Sequence, residues 1–384
     1  MRLSNYLPCR CYRPQLVLGI SKLSAWEFVK ARYPNLCDDE LKNRLVKQGN
    51  DPEEILNEHN LQVTYEKNLG SVLKKLNINF RILKRIKEAS ECVRLADLII
   101  PIGGDGTFLL ASKLITDNTK SVIGVNPCPE PHSSILAAPL EYSIEIEKMF
   151  EKLLLGEYTL MMRSRIRVEM IGEGLYRKPF HVHEKSRSQG ERRIDALVKS
   201  TQREIVNALQ PRRRILPWLA LNEVFMGEFL APRAITFRFQ ADNNEEYTVR
   251  SSGICVCTGS GSRFWYRGMN IQPPDTVQQL ALAIGKKMNE KEAKEVLHEY
   301  YNALDFHPED RRMAYMIREM YRASNWPKPR DCPERQMCHR ITVKSCGFDA
   351  GLILDGSVSL PFNDGTIAFF EIRPEYALKN IILT

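Results

Sequence analysis

The chain has 384 residues, 43% of them hydrophobic, enough for two domains of ordinary size with a core each. Its 55 basic and 47 acidic residues are interleaved, so a formal charge of +8 suits anionic small molecules at least as well as nucleic acid, and no nucleic-acid partner is expected. No run approaches 18 uninterrupted apolar residues, so neither a membrane-spanning helix nor a membrane partner is expected.

Residues 1–14 read as a basic leader or tail. Arg2, Arg10 and Arg13, with Lys22 following and no acid before residue 27, form the composition of a mitochondrial presequence. A disordered basic tail fits equally well, so the mitochondrial matrix and the cytoplasm both remain open. From 15 to 157, strand-like runs at Gln15–Ile20, Asn79–Leu83, Leu98–Ile102 and Ser121–Val125 alternate with helical stretches at Asp38–Gln48 and Asn68–Leu76. That alternation predicts an α/β domain, a Rossmann-like open parallel sheet with helices on its faces.

From 158 to 371 the short β-branched runs "RIRVEM", "AITFRF", "GICVCT" and "GLILDG" predict a mainly β, sandwich-like domain. Two stretches interrupt it. Residues 184–214 are a basic loop ending in "PRRR", read as a solvated charge run or a phosphate-attracting segment. Residues 274–320, including "RRMAYMIREM", carry helical spacing and predict an amphipathic insert that must bury its apolar face on the domain or on a partner. The tail 372–384 is expected to pack back on the α/β domain.

The ten cysteines include no Cys-x-x-Cys and read as reduced thiols. Cys332, Cys338, His339 and Cys346 have metal-capable types, but their spacing matches no known zinc module, so no metal site is expected there.

The stretch "IIPIGGDGTFLLASKLI" carries the most chemistry. An apolar strand ends in Gly103, Gly104, Asp105 and Gly106, and a helix follows at Phe108–Leu114. In open α/β sheets ligands bind at such strand ends. Bare glycines let backbone N–H groups approach phosphate oxygens, and the helix end adds positive potential. Asp105 repels phosphate, so it holds Mg²⁺, accepts the proton of an attacking hydroxyl, or merely caps the helix. No G-x-x-x-x-G-K-[ST] occurs, and "IGEGLYR" and "TGSGSRF" lack the third glycine of the dinucleotide fingerprint.

"GGDGT" at 103–107 resembles the signature shared by NAD kinases, diacylglycerol and sphingosine kinases and, more loosely, phosphofructokinases. "LNEVFMGE" at 221–228 resembles the Asn-Glu motif of NAD kinases, and "SSGICVCTGSGSRFW" at 251–265 resembles their glycine-rich segment in its mitochondrial form. "VIGVN", "GLILDG" and "FNDGTIAFF" fall in the same order, and "RYPNLCDDELKNRL" is similar to that branch's first helix. The resemblance runs from about residue 15 to the end and identifies the NAD kinase family.

It implies transfer of the γ-phosphoryl of ATP, with Mg²⁺, to the 2′-hydroxyl of the adenosine ribose of NAD. Asp105 matches the aspartate at that hydroxyl. Gly103, Gly104, Gly106 and Thr107 match the ATP phosphate loop. Asn126, Asn222, Glu223, Gly261, Ser262 and Trp265 match NAD-binding positions. Assembly of related kinases through their β domains implies a homodimer. A lipid or other small-molecule kinase sharing only the glycine turn, or a dinucleotide-binding protein without turnover, is the alternative. Outside the family, Asn222 and Glu223 read as exposed polar residues and Trp265 as core. Two departures stand out: Arg263 and Phe264 replace smaller neighbours of the aromatic, and "PCPEPHSSIL" replaces an acidic, glycine-containing loop after Asn126.

Overall fold

The computed structural model describes residues 11–84, 86–128, 134–176, 180–181, 209–230 and 232–383. Most of the basic loop 184–214 and of the leader 1–14 therefore lies outside the described residues. The chain divides into two compact units, Met1–Met162 with Leu378–Thr384, and Arg163–Ala377.

The first unit is built on a six-stranded sheet in the order Asn79–Leu83, Leu16–Ser21, Leu98–Ile102, Ser121–Val122, Leu378–Ile382 and Thr159–Arg163. Its first five strands pair in parallel, so the last strand of the chain completes the sheet that the first strand began. Leu98–Ile102 is buried at all five positions, as a central parallel strand covered on both faces must be. The helix predicted over Asn68–Leu76 is the end of a longer one, Pro52–Lys75. It starts with Asp51 as N-cap and Pro52 in the first turn and presents Tyr65, Leu69, Val72 and Leu73 to the core. Helices Ala25–Arg32, Ile86–Leu95 and Ile146–Leu155 complete the alternation. Only Ser121–Val122 of the run Ser121–Val125 is strand, and Gly124 and Val125 continue as isolated parallel bridges.

The second unit is a sandwich of two antiparallel sheets. One runs Tyr247–Ser251, Ile235–Ala241, Arg340–Ser345, Ile367–Ile372, Ile166–Ile171 and Arg213–Ile215; the other runs Arg335–Cys338, Met313–Arg318, Gly253–Cys257, Glu223–Glu228, Ala350–Leu354, Val358–Pro361 and Phe180–His181. Their inner faces share one core, in which Val168, Phe237, Val343 and Phe370 meet Val224, Ile254, Tyr315 and Leu352.

The helical insert is shorter than the sequence suggests. Helices Pro274–Ala283 and Glu290–Leu304 are present, but "RRMAYMIREM" contains the strand Met313–Arg318, paired on both edges inside the second sheet. The correction has a physical reason. A short apolar run buried on both faces loses the period-two alternation that would mark it as a strand, so helical spacing and strand are indistinguishable in it. Cys332 and Cys338 are buried in the sandwich core, and burial pushes both thiols up to about 12. Among the described residues no three His, Cys, Asp or Glu side chains converge as a metal site. No described helix is long and apolar enough to cross a membrane.

Candidate active site

In the first unit the glycine turn sits where Leu98–Ile102 ends and the helix Asp105–Leu114 begins. The Gly103 N–H donates to Val125 O at 2.8 Å, which fastens the turn to the neighbouring strand. Gly103 has φ +143°, and a Cβ there would stand 2.6 Å from Thr107 Oγ1, so the fold itself requires glycine. Gly104 and Gly106 differ: a Cβ on either would meet nothing within 4 Å. Nothing in the described unit demands a missing side chain at those two positions. A close-approaching ligand would, and the first amides of a helix have no partner within the helix.

The helix starts at Asp105 rather than Phe108, with Gly104 as N-cap, and makes no side-chain cap hydrogen bond. Asp105 is therefore not the cap. Its half-buried carboxylate reaches across to the next strand–helix connection, where Oδ1 accepts from the Ser134 hydroxyl and from the Leu136 N–H at 2.9 Å. Among the described residues Oδ2 accepts only from the Ile135 N–H, at 3.2 Å. Thr107 is 1% exposed, and its Oγ1 has no hydrogen-bond partner among the described residues. Asn126 follows the bridge at Val125. It donates its N–H to Ser143 Oγ at 3.1 Å and accepts the Cys128 N–H on Oδ1 at 3.2 Å, so its amide closes the turn leading out of the site. The first unit thus gathers Gly103, Gly104, Asp105, Gly106, Thr107 and Asn126 at the carboxyl ends of two central strands of the parallel sheet.

In the second unit Asn222 and Glu223 open the strand Glu223–Glu228, and both side chains are buried rather than exposed. Asp355 holds them there. Its carboxylate accepts the N–H groups of Leu221 at 3.1 Å, Asn222 at 2.8 Å and Glu223 at 3.1 Å. Asp355 has φ +43°, a left-handed turn position that Asp tolerates, before Gly356. Asn222 is 1% exposed, and its Oδ1 has no hydrogen-bond partner among the described residues, a cost that a bound polar group would offset.

Gly261 and Ser262 lie in a buried turn, Gly261–Arg263, against the same pair. A Cβ on Gly261 would stand 2.0 Å from Asn222 O, so this glycine admits the backbone of Asn222. The Ser262 hydroxyl donates to Gly259 O at 2.8 Å. Both residues secure the turn that packs against Asn222, a positioning task that sequence reading did not separate from ligand contact. Trp265 is not core. It is 37% exposed and lies on Phe225 with ring centroids 4.4 Å apart, an aromatic face open on one side. The departure at Arg263 points away from this pair, toward Asp305 at 3.1 Å.

Sequence reasoning missed Asp355 and Ser134. The Asp-Gly turn signal at 355–356 was visible, but its function of gathering three amides depends on a partner more than 130 positions away. Ser134 carried no signal of its own.

Residues 26–158 match the ATP-NAD kinase N-terminal domain. Over 97% of its length the chain is 31% identical to human mitochondrial NAD kinase 2, of which it covers 85%. It is 32% identical to the rat protein, again over 97% of this chain and covering 88% of the relative. The yeast NADH kinase solved with NADH shares the fold, with a TM-score of 0.52 at 12% identity, across 97% of this chain and 84% of that one. Similarity that runs through both units, and not only through the glycine turn shared with lipid kinases, places this chain in the NAD kinase family.

Proposed function

We propose that this chain is an ATP-dependent NAD kinase that moves the γ-phosphoryl of ATP to the 2′-hydroxyl of the adenosine ribose of NAD, giving NADP and ADP. The observation that carries the chemistry is the state of the glycine turn. Gly104 and Gly106 have no neighbour to explain them, and Asp105 between them is spent on no helix cap. Phosphate oxygens on the helix-end amides explain the first, and a hydroxyl awaiting deprotonation explains the second.

In this reaction Asp105 takes the proton of the 2′-hydroxyl, the alkoxide oxygen forms the new bond to phosphorus, and the bond to the ADP oxygen breaks. Thr107 Oγ1, buried and without a partner among the described residues, would gain one in the donor phosphates on binding. Asn222 and Glu223 supply donor and acceptor groups for ribose hydroxyls. Mg²⁺ is proposed to arrive on the ATP phosphates, where it neutralises charge. No described carboxylate cage stands ready for it, and Mg²⁺ held by phosphates and water needs none. The named relatives are mitochondrial enzymes, and this chain is assigned to the same compartment.

Leu280, Leu282 and Ile284 are 65%, 61% and 75% exposed at the end of the insert's first helix. That apolar surface supports assembly as a homodimer. Sedimentation at micromolar concentration is expected to give a dimer, and a monomer throughout would remove that part of the proposal. For the activity, the purified chain is incubated with ATP, Mg²⁺ and either NAD or a diacylglycerol or sphingoid base. NADP from NAD supports the kinase; a phosphorylated lipid, or NAD binding without product, overturns it.

A further inference from the structure

We infer that Ser134 is a positioning residue for the phosphoryl transfer, fixing the orientation of the Asp105 carboxylate that receives the proton; the inference rests on the kinase reading above. A carboxylate offers about four lone-pair directions, two on each oxygen. Oδ1 has both of its directions taken, by the Ser134 hydroxyl and by the Leu136 N–H at 2.9 Å. Oδ2 has one, the Ile135 N–H at 3.2 Å. One direction on Oδ2 therefore remains for a substrate hydroxyl.

The hydroxyl of Ser134 is itself oriented. Its oxygen accepts the Ala137 N–H at 3.2 Å, so its proton is directed at Asp105. The two amides alone hold it less firmly. They touch one oxygen each, and the terminal torsion of an aspartate is broad, so the carboxylate plane would rock about that pair. The hydroxyl adds a third point and fixes the plane. Misplacement of a reacting group by about 1 Å can cost two decades of rate.

The test compares Ser134→Ala, Ser134→Thr and wild type in NADP formation, with KM for NAD and ATP and the melting temperature measured for each. We expect Ser134→Ala to lose about tenfold in kcat, with both KM values within about twofold and the melting temperature unchanged; an effect of this size falls between a small tilt and the ~1 Å displacement above. Ser134→Thr, which keeps the hydroxyl, is expected to recover most of the rate. A Ser134→Ala enzyme with wild-type kcat overturns the inference and leaves the kinase intact. A loss that appears in KM or in melting temperature, and that Thr does not restore, also overturns it, because it marks Ser134 as a loop fastener. A wild-type chain that makes no NADP overturns the kinase reading and this inference with it.

Discussion

The two units both use glycine, and for opposite reasons. In the turn of the first unit a Cβ on Gly104 or Gly106 would meet nothing within 4 Å, whereas in the second unit a Cβ on Gly259 would stand 2.1 Å from His307 O and one on Gly261 2.0 Å from Asn222 O. The first pair keeps space that the protein does not fill. The second pair is glycine because backbone already fills the space. The aspartates divide in the same way: Asp105 accepts three hydrogen bonds from described residues and is half-buried with one oxygen partly free, while Asp355 is 6% exposed and gathers three consecutive amides. A motif of identical letters can therefore be left open in one unit and packed in the other. Substitution separates the two.

The largest effect is expected at Asp105. Asp105→Asn keeps the shape and can still accept on its one remaining carbonyl oxygen, but it removes the proton acceptor. Turnover should fall by about 10²-fold or more, the usual scale for losing a general base. The melting temperature should stay within a few degrees, since no helix cap is lost. A variant that still makes NADP within about threefold of wild type, far less than a lost base costs, breaks the comparison at its functional end.

Next comes Gly261→Ala. One added carbon would overlap the Asn222 carbonyl, and backbone on both sides has no rotamer through which to yield. A loss of about 3 kcal/mol is expected, at the upper end for overpacking, together with weaker NAD binding because Asn222 must move. Denaturant unfolding measures the first and NAD titration the second. A Gly261→Ala chain of wild-type stability would mean that this glycine, too, is kept for a ligand.

How much of this was legible follows from where each constraint resides. Both Asn79–Leu83 and Leu98–Ile102 stand at the predicted positions, the second because a central parallel strand writes itself as one local apolar run, the first because its exposed Asn79 and Arg81 alternate with covered neighbours. The glycine turn was legible because three glycines around an acid are abnormal within five residues. Met313–Arg318 was misread as helix, since its strand character comes from partners at Gly253–Cys257 and Arg335–Cys338. Trp265 was open to a core assignment because aromatic identity does not reveal which face is covered. The packing role of Gly261, the anchoring role of Asp355 and the contact between Ser134 and Asp105 are all pair properties. Single-sequence reasoning sees each partner without the pair.

The smallest effect, and the one whose sign matters most, is expected from Gly106→Ala. Gly106 lies in the first turn of the helix Asp105–Leu114, is exposed, and has no atom within 4 Å of where a Cβ would go. It carries no left-handed φ that would penalise a side chain. Alanine is the better helix former by about 0.8–1.0 kcal/mol in a helix interior, and less at a first turn, so the variant should be more stable by roughly 0.5 kcal/mol. If Gly106 is bare so that phosphate oxygens can reach the backbone, the same methyl group obstructs them, and kcat/KM for ATP should fall by about tenfold or more, the rate equivalent of about 1.4 kcal/mol of lost transition-state stabilisation. Stability up and activity down in one variant is the expected signature of a site that gives up fold energy to hold a ligand. A thermal shift assay and ATP titration on the same preparation decide it. A gain in stability with unchanged ATP use would make Gly106 an unoptimised helix position, and a loss of stability would show that the turn is packed like its counterpart in the second unit.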